Sequence, residues 1–371
     1  MILLKNLSLF PQKARLQKQP GHTPSSDGMR AGTVRFGQMG ANWIIAHRGA
    51  QICKAMPGDK VPDTAEFIVY PENTLAAFKA ALEKGHDIEL DVNTNGALSF
   101  QRNKQTVMNQ GRPLPFLPVY HDDQLGNPFR PQENVHDTMV LRNSSTDTIL
   151  NARFWKEGLI TRVIEKRLGT KEQFRPETPR SRVLLNDTAE ATRIPTLDEV
   201  FTLLKQYPHR HAYVEIKTLT HGDEENTKGL EKKLLEMMEE FNVTPQVTII
   251  SFNRYVLERV KNMAEQLKLN AVTTAWDIEP DSYLKKKGSM EELLSWAANH
   301  VNAILPTHGE VTPHLLDAAH KRGLLVMSWT DNETRTQEIN ALQRLRKMGI
   351  DGVITNIPSD AEEVYHTTAV N

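Results

Sequence analysis

The sequence predicts an α/β protein: a closed barrel of parallel strands joined by crossover helices. Three observations predict it. From Asn42 onward, short apolar runs alternate with amphipathic stretches of helical period. The chain has 371 residues, which accommodates a barrel of roughly 250 residues plus insertions. Finally, the apolar runs end one after another in polar, chemically capable side chains, as the strands of such a barrel do on its active face.

Nine runs read as strands: 42–47, 86–92, 117–121, 211–217, 246–252, 270–276, 301–305, 323–329 and 351–355. A closed barrel wants eight, so one is an edge piece, with 117–121 or 301–305 the candidates. Between them lie helices. In "NTLAAFKAALEKG", Leu75, Phe78 and Leu82 fall on one stripe; Asn73 is placed to cap the start and Gly85 to end it. "IPTLDEVFTLL" opens on Thr196 with Glu199 three residues on, a capping box. "TPHLLDAAHKRG" closes on basic residues and Gly323.

Residues 1–40 are polar and aperiodic and read as a weakly structured N-terminal arm. The barrel then occupies 41–123 and 195–362, with 363–371 a tail. The stretch 124–194 is too long for a plain loop. It carries one amphipathic segment, "DTILNARFWKEGLITRVIEKRLG", and reads as an inserted subdomain after the third strand.

Composition excludes several classes. Lys and Arg number 45 against 46 Asp and Glu, so no bulk field draws nucleic acid or an anionic membrane. No basic stripe with interleaved aromatics is present. No apolar run approaches the roughly 18 residues of a membrane span. The lone cysteine, Cys53, forbids an intramolecular disulfide and suits a reducing compartment. "MILLKNLSLF" is broken by Lys5 and Asn6, with no cleavage signal after it, so the expected location is cytoplasmic. Oligomeric state is left open by the sequence.

The strand ends carry the chemistry. The first ends in His47 and Arg48, the second in Glu89 and Asp91, the third candidate in His121, the fourth in Glu215 and Lys217, and the next-to-last in Trp329. Residues two apart share a strand face, so Glu89 pairs with Asp91, and Glu215 with Lys217. A single acidic strand end is ordinarily a solvated rim residue, and a single histidine a hydrogen-bonded structural one. Successive strand ends with this pattern are not what packing alone produces. Three carboxylates on interior faces call for positive charge among them. Lys217 alone cannot supply it, and a hard divalent cation with oxygen ligands can.

The chain resembles the glycerophosphodiester phosphodiesterase family. The motifs that carry the resemblance are "HRG" (47–49), "PENT" (71–74), "IELDV" (88–92), "HDDQL" (121–125), "IPTLDEV" (194–200), "VEIKT" (214–218), "ISF" (250–252), "SWT" (328–330) and "DGVITNIP" (351–358), in family order. The resemblance implies a TIM (β/α)8 barrel that hydrolyses a glycerophosphodiester to an alcohol and glycerol 3-phosphate. It implies that Glu89, Asp91 and Glu215 hold a divalent metal, Mg²⁺ or Ca²⁺, and that His47 and His121 are the catalytic acid/base pair. Arg48 and Lys217 would meet the phosphate, Glu72 the metal or the glycerol, and Trp329 the glycerol. The expected partner is therefore a small glycerophosphodiester or lysophospholipid.

Two departures stand out. The link from "IELDV" to "VYHDDQL" is long, and the late motif ends Thr355-Asn356 where the family commonly has Thr-Asp. A phospholipase D-like barrel of the lysophospholipase or sphingomyelinase D type, and a catalytically silent binding barrel, are the competing readings.

Overall fold

The computed structural model describes residues 43–49, 52–54, 67–93, 101–102, 105–106, 108–109, 112–113, 117–121, 145–151, 183–185, 193–217, 229–267, 269, 272–278, 290–330 and 334–366. Eight parallel strands close into a barrel: β1 (Trp43–Ala46), β2 (Asp87–Val92), β3 (Ala212–Ile216), β4 (Val247–Ser251), β5 (Thr273–Asp277), β6 (Ala303–Leu305), β7 (Leu325–Trp329) and β8 (Gly352–Thr355). Closure is the β1–β8 pairing, which sets Trp43 against Gly352 and Ala46 against Thr355.

Among the described residues, eight helices flank the strands: α1 (Leu75–Glu83), α2 (Leu197–Leu204), α3 (Leu230–Glu240), α4 (Arg254–Gln266), α5 (Met290–His300), α6 (Pro313–His320), α7 (Arg335–Met348) and α8 (Pro358–His366). Alternation divides each strand between two cores. Outward residues such as Ile88, Leu90, Val214 and Ile249 are buried with Phe78, Phe201 and Leu234 of the helices. Inward residues Ile45, Tyr213, Ile250, Ala275, Leu305, Met327 and Ile354 fill the barrel. An interior packed with side chains is a core and not a pore.

The capping box predicted at α2 forms, and α6 ends, as predicted, on basic residues ahead of Gly323, which takes φ +73°. Thr196 and Glu199 close the capping box of α2, and Thr312 caps α6 with its hydroxyl accepting from the Leu315 N–H at 3.1 Å. At α1 the cap is Thr74, whose hydroxyl accepts from the Ala77 N–H at 3.2 Å, and not Asn73. Both residue types can cap; Asn73 is drawn away by a buried carboxylate described below.

The spare strand is 117–121. The 301–305 run supplies β6, whereas 117–121 stays outside the barrel and lies across the end of β2. Its Val119 bridges Val92 antiparallel and its Pro118 bridges Thr196. Leu117, Val119 and Tyr120 are buried there, so the segment has a strand's apolar content without a strand's place. The inserted segment 124–194 accordingly follows the second barrel strand and not the third. Most of it lies outside the described residues, as does the arm 1–40. Thr146–Asn151 is helical within the amphipathic segment. Val183–Leu185 pairs in parallel with Phe67–Val69, which pairs antiparallel with Ile52–Lys54. This three-stranded sheet ties the insertion to the link between "HRG" and "PENT". Residues 363–366, assigned to the tail, continue α8. Among the described residues, no helix is long and apolar enough to cross a membrane.

Candidate active site

The parity that fills the barrel also builds its mouth. His47 follows Ile45, Asp91 follows Glu89, Glu215 follows Tyr213, Asp277 follows Ala275, Trp329 follows Met327 and Asn356 follows Ile354. Each is two residues beyond an inward position, so all six side chains belong to the interior side at the C-terminal ends of the strands. The β2–β3 register sets Glu215 beside Asp91.

β1 ends in a tight turn, His47–Gly49, in which Arg48 adopts φ 53° and ψ 31°. Left-handed backbone at a non-glycine costs roughly 1–2 kcal/mol and is characteristic of functional turns. Here it aims the Arg48 N–H at Glu89 Oε2, 2.7 Å away. It also turns the guanidinium back over the acidic residues, with Nη1 donating to Glu72 Oε1 at 2.8 Å and Nε 3.4 Å from Asp91 Oδ2. Gly49 follows at φ +83°. A Cβ there would lie 2.8 Å from Ala77 Cβ and 2.9 Å from the Phe78 backbone nitrogen. The glycine is therefore required by the close approach of α1.

The "PENT" motif resolves into three separate tasks. Glu72 holds Arg48, and Thr74 caps α1. Asn73, at φ +55°, donates from Nδ2 to Asp91 Oδ2 at 2.7 Å and accepts the Asp91 N–H at 3.2 Å.

Glu89, Asp91 and Glu215 are buried and offer one oxygen each within 4.8 Å of one another. Lys217 Nζ lies 3.0 Å from Asp91 Oδ1 and 2.7 Å from Glu215 Oε1. Burial opposes charge on Asp91, but Lys217, Arg48, His121 and the Asn73 amide overcome it and hold this carboxyl far below the usual range. Glu89 goes the other way. Burial, then Asp91 and Glu215, push its pKa well up, and Arg48 offsets only part of this. Glu215 is raised by burial and Asp91 against the pull of Lys217. The two cations thus satisfy Asp91 and leave Glu89 and Glu215 short of positive charge. A divalent ion among the three oxygens fits that deficit, and an all-oxygen donor set suits a hard cation.

His47 Nδ1 is 2.9 Å from Asn356 Oδ1. His121, half-buried in the segment across β2, sits near enough to Asp91 and Glu215 to favour their charged forms. Its position is fixed by the Tyr120 N–H donating to the Asp91 carbonyl at 3.0 Å and the Asn93 amide donating to the Tyr120 carbonyl at 3.2 Å. So the residues predicted from sequence do assemble, although His121 arrives from outside the barrel wall. Trp329 stands edge-on to Phe252, with ring centroids 6.4 Å apart, and Lys217 Nζ lies 6.0 Å from the Phe252 ring centre.

Three participants escape the sequence reading. Asn73 looks like a cap. Asn356 is visible only as a departure from the family motif. Asp277 sits one residue beyond the apolar run that marks β5; extending that run by strict alternation would have found it. Burial and Glu215 push the Asp277 pKa well up, against Lys217 and Trp329.

The family model for the glycerophosphoryl diester phosphodiesterase family matches residues 117–360. A glycerophosphodiester phosphodiesterase from Caldanaerobacter subterraneus subsp. tengcongensis is 28% identical over 293 residues, covering 78% of this chain and 89% of that protein. A crystal structure from Silicibacter pomeroyi DSS-3, named for the same family, superposes with a TM-score of 0.61 at 19% identity, covering 89% of this chain and 94% of that one. An Oleispira antarctica phosphodiesterase, solved with sn-glycerol-3-phosphate, superposes with a TM-score of 0.52 at 16% identity, covering 87% and 96%. With most of its barrel matched by the family model and the acidic cluster at the mouth of that barrel, the chain belongs to the glycerophosphoryl diester phosphodiesterase family.

Proposed function

We propose that this protein is a metal-dependent enzyme that hydrolyses glycerophosphodiesters to glycerol 3-phosphate and an alcohol. The observation that carries the reading is the buried carboxylate cluster, Glu89, Asp91 and Glu215, flanked by His47 on one strand and His121 on the crossing segment. The Caldanaerobacter relative's name and the product bound to the Oleispira enzyme support the same substrate class.

The three carboxylates would hold Mg²⁺ or Ca²⁺, which supplies Lewis-acid polarisation of a phosphoryl oxygen. The chain's own residues do the rest. Arg48 and Lys217 offset the negative charge that otherwise repels a nucleophile from a phosphodiester. The Asn356 amide oxygen accepts from His47 Nδ1–H, which leaves the lone pair on Nε2 and makes His47 the base. His47 takes the proton from the attacking hydroxyl as its oxygen bonds to phosphorus. The bond from phosphorus to the alcohol oxygen breaks, and His121 protonates that oxygen. The attacking group is water, or the neighbouring glycerol hydroxyl with water opening the cyclic phosphate afterwards.

The test offers glycerophosphocholine and a lysophospholipid separately to wild type, with and without chelator, and to His47→Ala. Release of glycerol 3-phosphate from glycerophosphocholine, abolished by chelation and by the substitution, is expected. Cleavage of the lysophospholipid alone would place the protein with the phospholipase D-like barrels. Cleavage of neither would leave a binding barrel.

A further inference from the structure

Where β7 and β8 end, one buried carboxylate holds both chain segments behind His47. Glu338 lies in the first turn of α7 and is 1% exposed. Its Oε1 accepts from three donors: the Thr330 hydroxyl at 2.7 Å, the Asn356 N–H at 2.9 Å and the Thr355 hydroxyl. The Thr355 hydroxyl in turn accepts the Ile357 N–H at 3.2 Å. A buried carboxylate is expensive unless donors surround it, and these donors come from the ends of both strands.

The local sequence aims this side chain. Thr334 and Gln337 form a capping box that fixes the first turn of α7, with the Thr334 N–H donating to Gln337 Oε1 at 3.1 Å. Arg335, the next residue, is paired with Asp360 of α8, its Nε donating to Oδ2 at 3.1 Å. An acidic residue in this turn also meets the positive end of the helix dipole.

Joining β7 to β8 does not require Glu338. The ladder already pairs Trp329 with Ile354, and the Thr330 N–H donates to the Ile354 carbonyl at 2.9 Å. What Glu338 adds lies beyond that last pair. It holds Asn356 by its backbone N–H, and it holds Thr330, whose carbonyl is 3.5 Å from Asn356 Nδ2. Both determinants of the Asn356 amide therefore meet at one oxygen, and that amide presents its Oδ1 to His47 Nδ1 at 2.9 Å.

We infer that Glu338 is a positioning residue: acting through Asn356, it keeps the His47 proton on Nδ1 and so leaves the Nε2 lone pair for the base step. This role presupposes His47 as the base proposed above.

The test combines kinetics on glycerophosphocholine with Mg²⁺ and ring-nitrogen NMR of histidine-labelled protein at alkaline pH, where imidazoles are neutral. The His47 signals are assigned by their loss in His47→Ala. Glu338→Met removes the acceptor while keeping the volume. It should lower kcat by roughly tenfold or more, with KM within about twofold, and the His47 proton should no longer reside mainly on Nδ1. Glu338→Gln retains an oxygen acceptor and should bring back the tautomer, with kcat within about threefold of wild type. In the Asn356→Ala background, Glu338→Met should lower kcat no further, because residues that act as one unit are non-additive. A mere staple between strands would lower the melting temperature but leave the tautomer in place, and its effect on kcat would add to that of Asn356→Ala; either result overturns the role. If Glu338→Met does not fold, Glu338→Asp, which withdraws the acceptor by one methylene, takes its place: an unchanged kcat and an unchanged tautomer overturn the role there. Wild type that cleaves no glycerophosphocholine defeats the functional reading by itself. The NMR arm then still decides on Glu338, since a His47 proton that stays on Nδ1 in Glu338→Met refutes the positioning.

Discussion

The imidazole of His47 and the side-chain amide of Asn356 are hydrogen-bonded at 2.9 Å across 309 positions of sequence. The orientation of the amide is set by its other end, where Nδ2 lies 3.5 Å from the Thr330 carbonyl and so faces an acceptor. Its backbone is held as well, with the Asn356 N–H donating to the buried Glu338 Oε1 at 2.9 Å. An aspartate here would orient the ring and also add a charge; the asparagine only orients. Asn356→Ala should therefore lower kcat by about 10–10²-fold, part of the roughly 10²–10⁴ that a positioned acid/base supplies, with little change in KM. Asn356→Asp should keep most activity and move the acidic limb of the pH–rate profile upward by about one unit or more. Loss of activity in both variants with an unmoved profile would argue against an orienting role.

Glu89 and Glu215 should reveal themselves through stability as well as rate. Saturating Mg²⁺ or Ca²⁺ at about 100 times its Kd should stabilise wild type by about 2.7 kcal/mol, read as a rise in melting temperature. Glu215→Gln and Glu89→Gln should lose most of that rise. If metal shifts the variants as much as wild type, the ion is held elsewhere.

Gly49 and Gly323 offer an internal comparison. Both have positive φ, but a Cβ at Gly323 meets nothing within 4 Å, whereas at Gly49 it strikes the first turn of α1. Gly323→Ala should cost about 1 kcal/mol from backbone strain alone. Gly49→Ala should add an overpacking penalty of roughly 1–3 kcal/mol and reduce activity, since the same turn carries His47 and Arg48. Equal unfolding free energies for the two variants in urea would refute the close-packing account.

At the other end of the barrel, His211 is bonded through Nε2 to the Thr248 hydroxyl at 2.8 Å, and burial lowers its pKa to about 4. Asp87 accepts the His211 backbone N–H at 2.9 Å and is itself pushed up to about 6 by burial. The unfolded chain protonates this histidine near pH 6.5, the folded chain only near 4. Stability from this group is thus complete above 6.5 and lost as pH falls toward 4. Asp87 titrates with the opposite sign but is common to wild type and His211→Gln, so it cancels in their difference. Between pH 7 and pH 4 that difference should move by about 1–3 kcal/mol against wild type. A difference independent of pH would contradict the burial of a neutral imidazole.

How far the sequence carried this picture depends on what each residue's signal encodes. Apolar runs report burial, and eight of nine became barrel strands because burial and strand pairing coincide there. They part company at 117–121, where Leu117 and Val119 are buried against β2 and α2 without joining the barrel. The carboxylate pairs were legible because residues two apart share a face whatever the register. Asn73 was misjudged because cap chemistry and carboxylate recognition use the same amide. The tie between Asn356 and His47 was out of reach, since it exists only because β8 closes onto β1. Asp277 was lost to a boundary placed one residue early, at the end of the apolar run rather than of the alternation.

The small sheet of Ile52–Lys54, Phe67–Val69 and Val183–Leu185 has a consequence for anyone trimming this protein. Phe67–Val69 is its middle strand, hydrogen-bonded on one side to the segment after "HRG" and on the other to the insertion. The insertion therefore cannot be excised as a cassette. Removing it would strip one flank from Phe67–Val69 and turn an interior ribbon into a bare edge, the feature through which β proteins stick to one another. A shortened chain that keeps 183–185 grafted in place should stay monodisperse where a full deletion aggregates.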